Sequence, residues 1–133
     1  FNPDFSVIDA TILCYKKTFY MFIKNENSNP PEKNIRFTTS NNLYGPYSTI
    51  VSDPITGNYW AEGPTAIEIN GYVYVYCDKY REKKYGVVRT KDFKNWEDLS
   101  DSLIMPSGIR HGSIFKVNKS ILIKLLNYYK DQL

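Results

Sequence analysis

The sequence predicts an all-β fold, a partial β-propeller of about two and a half blades followed by a short C-terminal helix. Short runs of β-branched and aromatic residues recur along the 133 residues, and 16% of the chain is aromatic. Such residues favour half-buried strands. The runs repeat at a spacing of about 50 residues, which is typical of propeller blades. An antiparallel sandwich with similar hairpins is the alternative interpretation.

The first unit, residues 8–56, contains three runs with strand composition. Lys16 and Lys17 form a polar break between the first two runs, and an Asn- and Pro-rich loop precedes the third. A turn at Gly45-Pro46 follows the third run. The predicted strands are 11–15, 18–23 and 35–40.

The second unit, residues 61–105, repeats this pattern. Asn70-Gly71 separates its first two runs and predicts a tight hairpin, because both residue types tolerate positive φ. The predicted strands are 65–69, 72–76 and 86–90.

The third unit, residues 110–118, matches the others only at its start, and its predicted strand is 113–117. The apolar spacing then changes and predicts an amphipathic helix at about 119–131, capped by Ser120 and packed on the outside of the β domain. We therefore interpret residues 1–133 as the C-terminal portion of a single propeller domain.

Polar residues recur at one position of the repeat. Thr11, Thr65 and Ser113 align with offsets of 54 and 48 residues. Just before them stand the pairs Ile8-Asp9, Glu62-Gly63 and Arg110-His111. Because the innermost strands of a propeller line a central channel, we expect the polar members of these pairs to converge at one end of the channel.

Two carboxylates, an arginine and aromatic neighbours suit glycoside hydrolysis. In this interpretation Glu62 is the general acid, and its pKa is expected to lie well above that of a free Glu, raised by Asp9, Trp60 and Pro64. Asp9 stays ionised, tunes that pKa and orients Glu62. The simpler alternative is that both carboxylates are salt-bridge partners of Arg110.

Substrate contacts are expected from neighbouring side chains. Arg110 can donate to sugar hydroxyls, and Tyr59, Trp60 and Tyr80 can stack on a sugar ring, although Trp60 could equally be a core residue. His111 is the only histidine. It either fills the channel or holds a bound ion through water, since one nitrogen alone cannot hold a hard cation.

The three units contain four sequence motifs. They are Ile8-Asp9-Ala10-Thr11, Ala61-Glu62-Gly63-Pro64-Thr65, Tyr85-Gly86 with Arg89-Thr90-Lys91-Asp92 and Trp96, and Arg110-His111-Gly112-Ser113. These motifs resemble those of glycoside hydrolase family 43. This resemblance implies a five-bladed propeller, inverting hydrolysis, and arabinofuranosidase, arabinanase or xylosidase activity. It also implies that Glu62 is the general acid, that Asp9 is the residue tuning it, and that His111 lies near a hydrated channel ion such as Ca²⁺, with no cofactor required.

The general base of that family has no counterpart here. It is an Asp at the start of the first blade, and Asp4 lies too close to Asp9 in sequence to serve. We therefore expect the chain to be the C-terminal half of such a domain and inactive alone, with the base in preceding blades. The expected substrates are arabinose- or xylose-containing plant glycans. The alternative is a non-catalytic, glycan-binding partial propeller.

Composition excludes other classes of function. The net charge is +3 with scattered basic residues, which does not favour nucleic-acid binding. No apolar run is long enough to span a membrane. Cys14 and Cys77 form no CxxC or His/Cys cluster, so zinc is not expected. The open edges of an incomplete ring favour self-association. A secreted or periplasmic setting is expected, although no signal peptide is visible.

Overall fold

Two antiparallel sheets make up most of the chain in the computed structural model, which describes residues 1–106 and 108–130. The first sheet has the order β1-β2-β3 and the second the order β4-β5-β6-β7. The all-β class and the C-terminal helix are thus confirmed. The elements are β1 Val7–Tyr15, β2 Thr18–Asn25, β3 Ile35–Ser40, β4 Glu62–Ile69, β5 Tyr72–Lys79, β6 Lys84–Thr90, β7 Glu97–Asp98, a 3₁₀ turn Ser100–Ser102 and α1 Lys119–Lys130.

Each sheet begins with a two-residue hairpin. The turn residues all have positive φ, which matches the right-handed twist of the flanking strands. Tyr15 therefore pairs with Thr18 in the first sheet, and Ile69 pairs with Tyr72 in the second. The four turn residues are Lys16 (φ 48°), Lys17 (φ 68°), Asn70 (φ 52°) and Gly71 (φ 80°).

The starts of the units share a backbone irregularity. The pairing register shifts between Ile8 and Thr11 in β1 and between Glu62 and Thr65 in β4. The second residue of each of the three polar pairs has positive φ, although such values are uncommon outside glycine. These residues are Asp9 (φ 55°), Gly63 (φ 56°) and His111 (φ 40°). The predicted internal repeat is therefore visible in the backbone of all three units.

The hydrophobic core lies between the facing sheets. Phe22 and Ile35 from the first sheet and Val73, Val75 and Val88 from the second are almost completely buried there. Aromatic rings close the outer part of this interface, with Tyr20 stacked on Phe93 at a centroid distance of 3.8 Å. Further rings of this cluster are Phe37 and Trp96. This packing fixes the relative position of β1 and β4, whose first residues carry the polar pairs.

Two predictions for the C-terminal region are wrong. Residues 113–117 have no strand pairing, and the helix does not pack on the domain, because none of its described residues is buried. The helix itself is confirmed over Lys119–Lys130, with position 131 outside the described residues. Its cap is Asn118 and not Ser120, since Asn118 Oδ1 accepts the Ile121 N–H at 2.9 Å. No helix of the described residues is long and apolar enough to cross a membrane.

Candidate functional site

The three unit starts meet at one place, as the repeat predicted. Asp9 enters from β1, Glu62 opens β4, and His111 follows the second sheet in the segment before α1. One side-chain donor atom from each lies within 4.8 Å of the others. Direct contacts therefore join Glu62 to His111, 49 positions apart, and Asp9 to Gly63, 54 positions apart.

Three nitrogen-bearing side chains surround the Glu62 carboxylate. Lys24 Nζ lies 3.0 Å from Oε2. His111 Nε2 lies 3.0 Å and an Arg110 guanidinium nitrogen 3.6 Å from Oε1. The Glu62 side chain is only 19% exposed. Both carboxylate oxygens of Glu62 are thus contacted by nitrogen atoms from the first and the third unit.

This environment favours the ionised form of Glu62. Burial raises the pKa of its carboxyl, but the hydrogen bonds from His111 and Lys24 and the charge of Lys24 outweigh burial and hold the pKa below its ordinary value. The expectation of a raised pKa is therefore wrong for this chain. The lowering comes from the hydrogen bond with His111 and from Lys24, which the sequence did not single out.

Lys24 lies almost fully buried between two acidic groups. Its Nζ contacts Glu26 at 2.7 Å as well as Glu62, and it stands 4.9 Å from the centre of the Tyr80 ring. Burial lowers the pKa of this ammonium group, but the two carboxylates raise it above its ordinary value. Lys24 is therefore a fixed positive charge beside Glu62.

A second cross-unit pair repeats this arrangement with the charges exchanged. Lys24 is paired to Ile8 across the first hairpin, and Asp78 is paired to Glu62 across the second, so Lys24 and Asp78 hold equivalent positions. Asp78 is fully buried and forms an ion pair with Arg110. Arg110 thus contacts both Asp78 and Glu62, and its guanidinium is only half exposed to a ligand.

Asp9 and Gly63 connect the unit starts through the backbone. Asp9 Oδ2 accepts the Gly63 N–H at 3.0 Å. A Cβ at position 63 would lie 2.9 Å from His111 Nδ1, so only glycine lets the imidazole approach this closely. A shallow cavity of about 200 Å³ opens here, lined by residues 9–10, 63–64 and 111–113.

This donor set does not by itself fit the expected calcium ion. Ca²⁺ takes six to eight oxygen ligands in proteins. Asp9 and Glu62 offer carboxylate oxygens and His111 offers a nitrogen, while Lys24 and Arg110 place positive charge against the same Glu62 carboxylate. Calcium therefore stays a prediction that requires oxygen ligands from other residues.

The three predicted stacking residues differ in what covers them, and the rings of Trp60 and Tyr80 contact each other at a centroid distance of 5.9 Å. Tyr59 packs against the core, lies under Lys79 at 4.1 Å and donates its hydroxyl to Asp98 at 2.9 Å, so it is unsuited to stacking on a sugar. One face of Trp60 is covered by Arg81 at 3.3 Å. Tyr59 and Trp60 line a separate cavity of about 290 Å³. Of the three residues, only Tyr80 contacts the group around Glu62, because Lys24 Nζ lies over its ring.

Sequence reasoning found the unit starts but missed their partners. Lys24, Glu26 and Asp78 lie at the ends of the middle strands, not at the repeated polar pairs. The signal that could have found two of them is the repeat itself. Aligning the second strands of both units places Lys24 opposite Asp78 in the alignment, each just after an apolar run.

Comparison with known proteins identifies the relatives of this chain. A family model named for its relation to glycosyl hydrolase family 43 and described as a probable glycosyl hydrolase domain matches residues 1–121. No curated protein matches significantly.

Two solved structures share the fold. One is a GH43 β-xylosidase/α-arabinofuranosidase from a compost microbial metagenome in complex with xylotriose, with TM-score 0.58, 13% identity and coverage of 74% of this chain and 36% of that one. The other is a thermostable family-43 glycoside hydrolase, with TM-score 0.56, 18% identity and coverage of 85% and 45%. The chain thus spans less than half of either structure. The number of blades stays a prediction.

Proposed function

This chain belongs to the family of probable glycosyl hydrolase domains related to family 43, and we propose that it carries the general-acid part of a glycosidase site. The substrates in this proposal are arabinose- or xylose-containing plant glycans, and the reaction inverts the anomeric centre. Glu62 protonates the leaving oxygen, Asp9 orients the site, and Arg110 and Tyr80 contact the sugar. The xylotriose complex of one structural neighbour supports a carbohydrate ligand of this class.

The observation that carries the proposal is the position of Glu62. It is the partly buried carboxylate at which all three units meet, within 4.8 Å of Asp9 and His111, beside an open cavity. A general acid needs a position of this kind, where its pKa responds to the charges around it. The other acidic residue of β4 is Glu68, which pairs with the exposed Lys116 away from the cluster of Asp9, Glu62 and His111.

The general base must come from residues outside this chain. An inverting enzyme places the base about 6.5–9.5 Å from the acid to leave room for water. A second carboxylate at that distance would also raise the pKa of Glu62 and oppose the effect of Lys24. The complete site would therefore give Glu62 a higher pKa than this chain alone does, and the isolated chain would show no turnover.

Glycan binding without hydrolysis is the second candidate. It is favoured by the lowered pKa of Glu62, because an ionised carboxylate accepts hydrogen bonds from sugar hydroxyls and cannot donate a proton. In this case Lys24 and Arg110 keep Glu62 ionised while the site binds a glycan.

Substitution of Glu62 in the full-length protein that contains these residues separates the two candidates. Glu62→Gln should lower kcat on nitrophenyl arabinofuranoside and xyloside by at least about 100-fold, because proton donation is lost. The affinity for xylo- or arabino-oligosaccharides should stay within a few-fold. Glu68→Gln, on the same strand but outside the junction, is the matched control and should keep full activity.

Two results would count against the hydrolase. Oligosaccharide binding by a wild-type protein with no turnover would establish the binding function instead. Equal activities of Glu62→Gln and wild type would exclude Glu62 as the acid. Robust turnover by residues 1–133 alone would contradict the claim that the base lies elsewhere.

A further inference from the structure

The C-terminal helix has the sequence of a blade hairpin. In the first unit a five-residue strand segment from Thr11, a two-residue turn and an eight-residue strand follow one another without gaps, and the second unit repeats this from Thr65. The same division fits the third unit from Ser113, with Asn118-Lys119 at the turn and residues 120–127 as the second strand. Asparagine is well suited to the positive φ that this turn requires.

The start of this segment already lies in its blade position. The Gly112 N–H donates to the Tyr85 hydroxyl at 2.6 Å, and the Ile114 N–H donates to Thr65 Oγ1 at 3.2 Å. Lys116 Nζ pairs with Glu68 at 2.9 Å. The first of these contacts is to β6 and the other two are to β4, so residues 112–116 lie against the second sheet.

The outer face of the second sheet is aromatic and only partly covered. Tyr72, Tyr74 and Tyr76 alternate along β5 and form a ladder with ring spacings of 6.2 and 6.5 Å. We call these three residues the tyrosine face. Tyr74 and Tyr76 hold the positions of Tyr20 and Phe22, which pack in the core between the two sheets.

The repeat also identifies what would cover the tyrosine face. In the core, Tyr20 and Phe22 pack against a set that includes Ala66, Val73, Val75 and Cys77. A hairpin at 113–127 would present alternate apolar side chains at the equivalent positions. Those positions are Ile114, Ile121, Ile123 and Leu125.

The helix gives these residues no such burial. Ile121, Ile123 and Leu125 are 42%, 46% and 42% exposed, and no described residue of α1 is buried. An isolated helix of this length is marginal in water without tertiary packing. The same residues would lose most of their exposed apolar area against the tyrosine face.

We propose that residues 113–127 have a second conformation, a β-hairpin that packs on the tyrosine face and replaces α1. Its register follows from the other two hairpins, in which Tyr15 pairs with Thr18 and Ile69 with Tyr72. Val117 then pairs with Ser120, and Phe115 with Leu122. The inference is independent of hydrolysis, because it concerns the packing of the third unit.

Disulfide trapping in the 133-residue chain tests this register. Phe115→Cys with Leu122→Cys places two thiols directly opposite each other on the outer face of the hairpin. Lys116→Cys with Leu122→Cys is the control, since a shift of one residue puts the thiols on opposite faces. Both pairs are made with Cys14→Ser, because Cys14 is exposed and Cys77 is buried. The substituted residues lie outside the core, so the two sheets should fold unchanged.

The in-register pair should oxidise at least about tenfold faster than the control pair. Lys119→Gly should increase this rate further, because Asn-Gly is the preferred turn. Ile121→Ala, Ile123→Ala and Leu125→Ala combined should abolish the difference. Equal rates for the two pairs, or no cross-link in the in-register pair, would overturn the proposal.

Discussion

The two junctions of this chain use the same repeat positions but differ in how they are filled. The first, between the two sheets, encloses the core around Phe22 and Val75. The second, between the second sheet and residues 110–117, leaves the tyrosine face only partly covered. Yet both have a buried ion pair at the same position, Lys24 with Glu62 and Asp78 with Arg110.

The comparison indicates that the polar contacts of the site and the stability of the fold have different physical sources. The polar connections at the strand starts form at both junctions, whether or not an apolar interface is complete. They depend on local backbone geometry, seen in the positive φ of Asp9, Gly63 and His111. Stability should come mainly from the filled junction, so substitutions at equivalent positions should have unequal effects.

The largest contrast is expected between Phe22 and Tyr76, which hold equivalent positions. Phe22 is fully buried, and Phe22→Ala should lower the free energy of unfolding by about 3–5 kcal/mol. Tyr76 lies on the partly covered face, and Tyr76→Ala should cost about 1 kcal/mol. Urea denaturation of both variants measures this. Equal losses would mean that the second junction is as well packed as the first.

The two ion pairs should also respond differently. Arg110→Ala leaves the buried Asp78 without its cation and should destabilise the chain more than Glu62→Gln does. Glu62→Gln should cost about 1 kcal/mol, because Lys24 keeps Glu26 as a partner at 2.7 Å. Arg110→Lys is the control and should recover part of the loss. A smaller effect for Arg110→Ala than for Glu62→Gln in thermal unfolding would refute this.

Substitution of two glycines separates the cost of backbone strain from the effect of a steric contact at the site. Gly63→Ala and Gly71→Ala both place alanine at positive φ and should each cost about 1 kcal/mol. Only at position 63 would the new Cβ meet His111, since nothing lies within 4 Å at position 71. The imidazole NMR signals of His111 should therefore shift in Gly63→Ala alone. Unchanged signals would show that the imidazole does not lie against Gly63.

The fold could be read from the sequence where local signals agreed. The first six predicted strands form, and Asn70-Gly71 makes the expected turn, because composition and turn chemistry act locally. The structure of the third unit and of the segment after it could not be predicted from local signals in this way. Residues 121–126 fit a helix and a buried strand equally, and the strand predicted at 113–117 needs a pairing partner.

The site was predictable only in part. Asp9, Glu62 and His111 meet, as expected from the convergence of the three pairs at the strand starts. The pKa of Glu62 was not predictable, because it depends on Lys24, which comes from the middle strand of another unit. Charges that act across a unit boundary depend on tertiary packing, and no local pattern in the sequence marks them.

The lowered pKa of Glu62 has a defined consequence for stability. A carboxyl whose pKa is depressed by folding binds protons more weakly in the folded state than in the unfolded chain. Its contribution is complete above the unfolded pKa and is lost as the pH falls through the folded pKa. Replacing Lys24 with methionine should raise the folded pKa and so reduce this contribution.

The most direct test is a titration of the Glu62 side-chain carboxyl carbon by NMR in the 133-residue chain and in Lys24→Met. If side chains of the first and third units hold Glu62 ionised, its pKa in the native chain lies below the ordinary value of 4.5 and rises in Lys24→Met. Glu68 is paired with Lys116, away from the cluster of Asp9, Glu62 and His111, and its pKa should not respond to this substitution. A Glu62 pKa above the ordinary value in the native chain, or no change in Lys24→Met, would contradict the account.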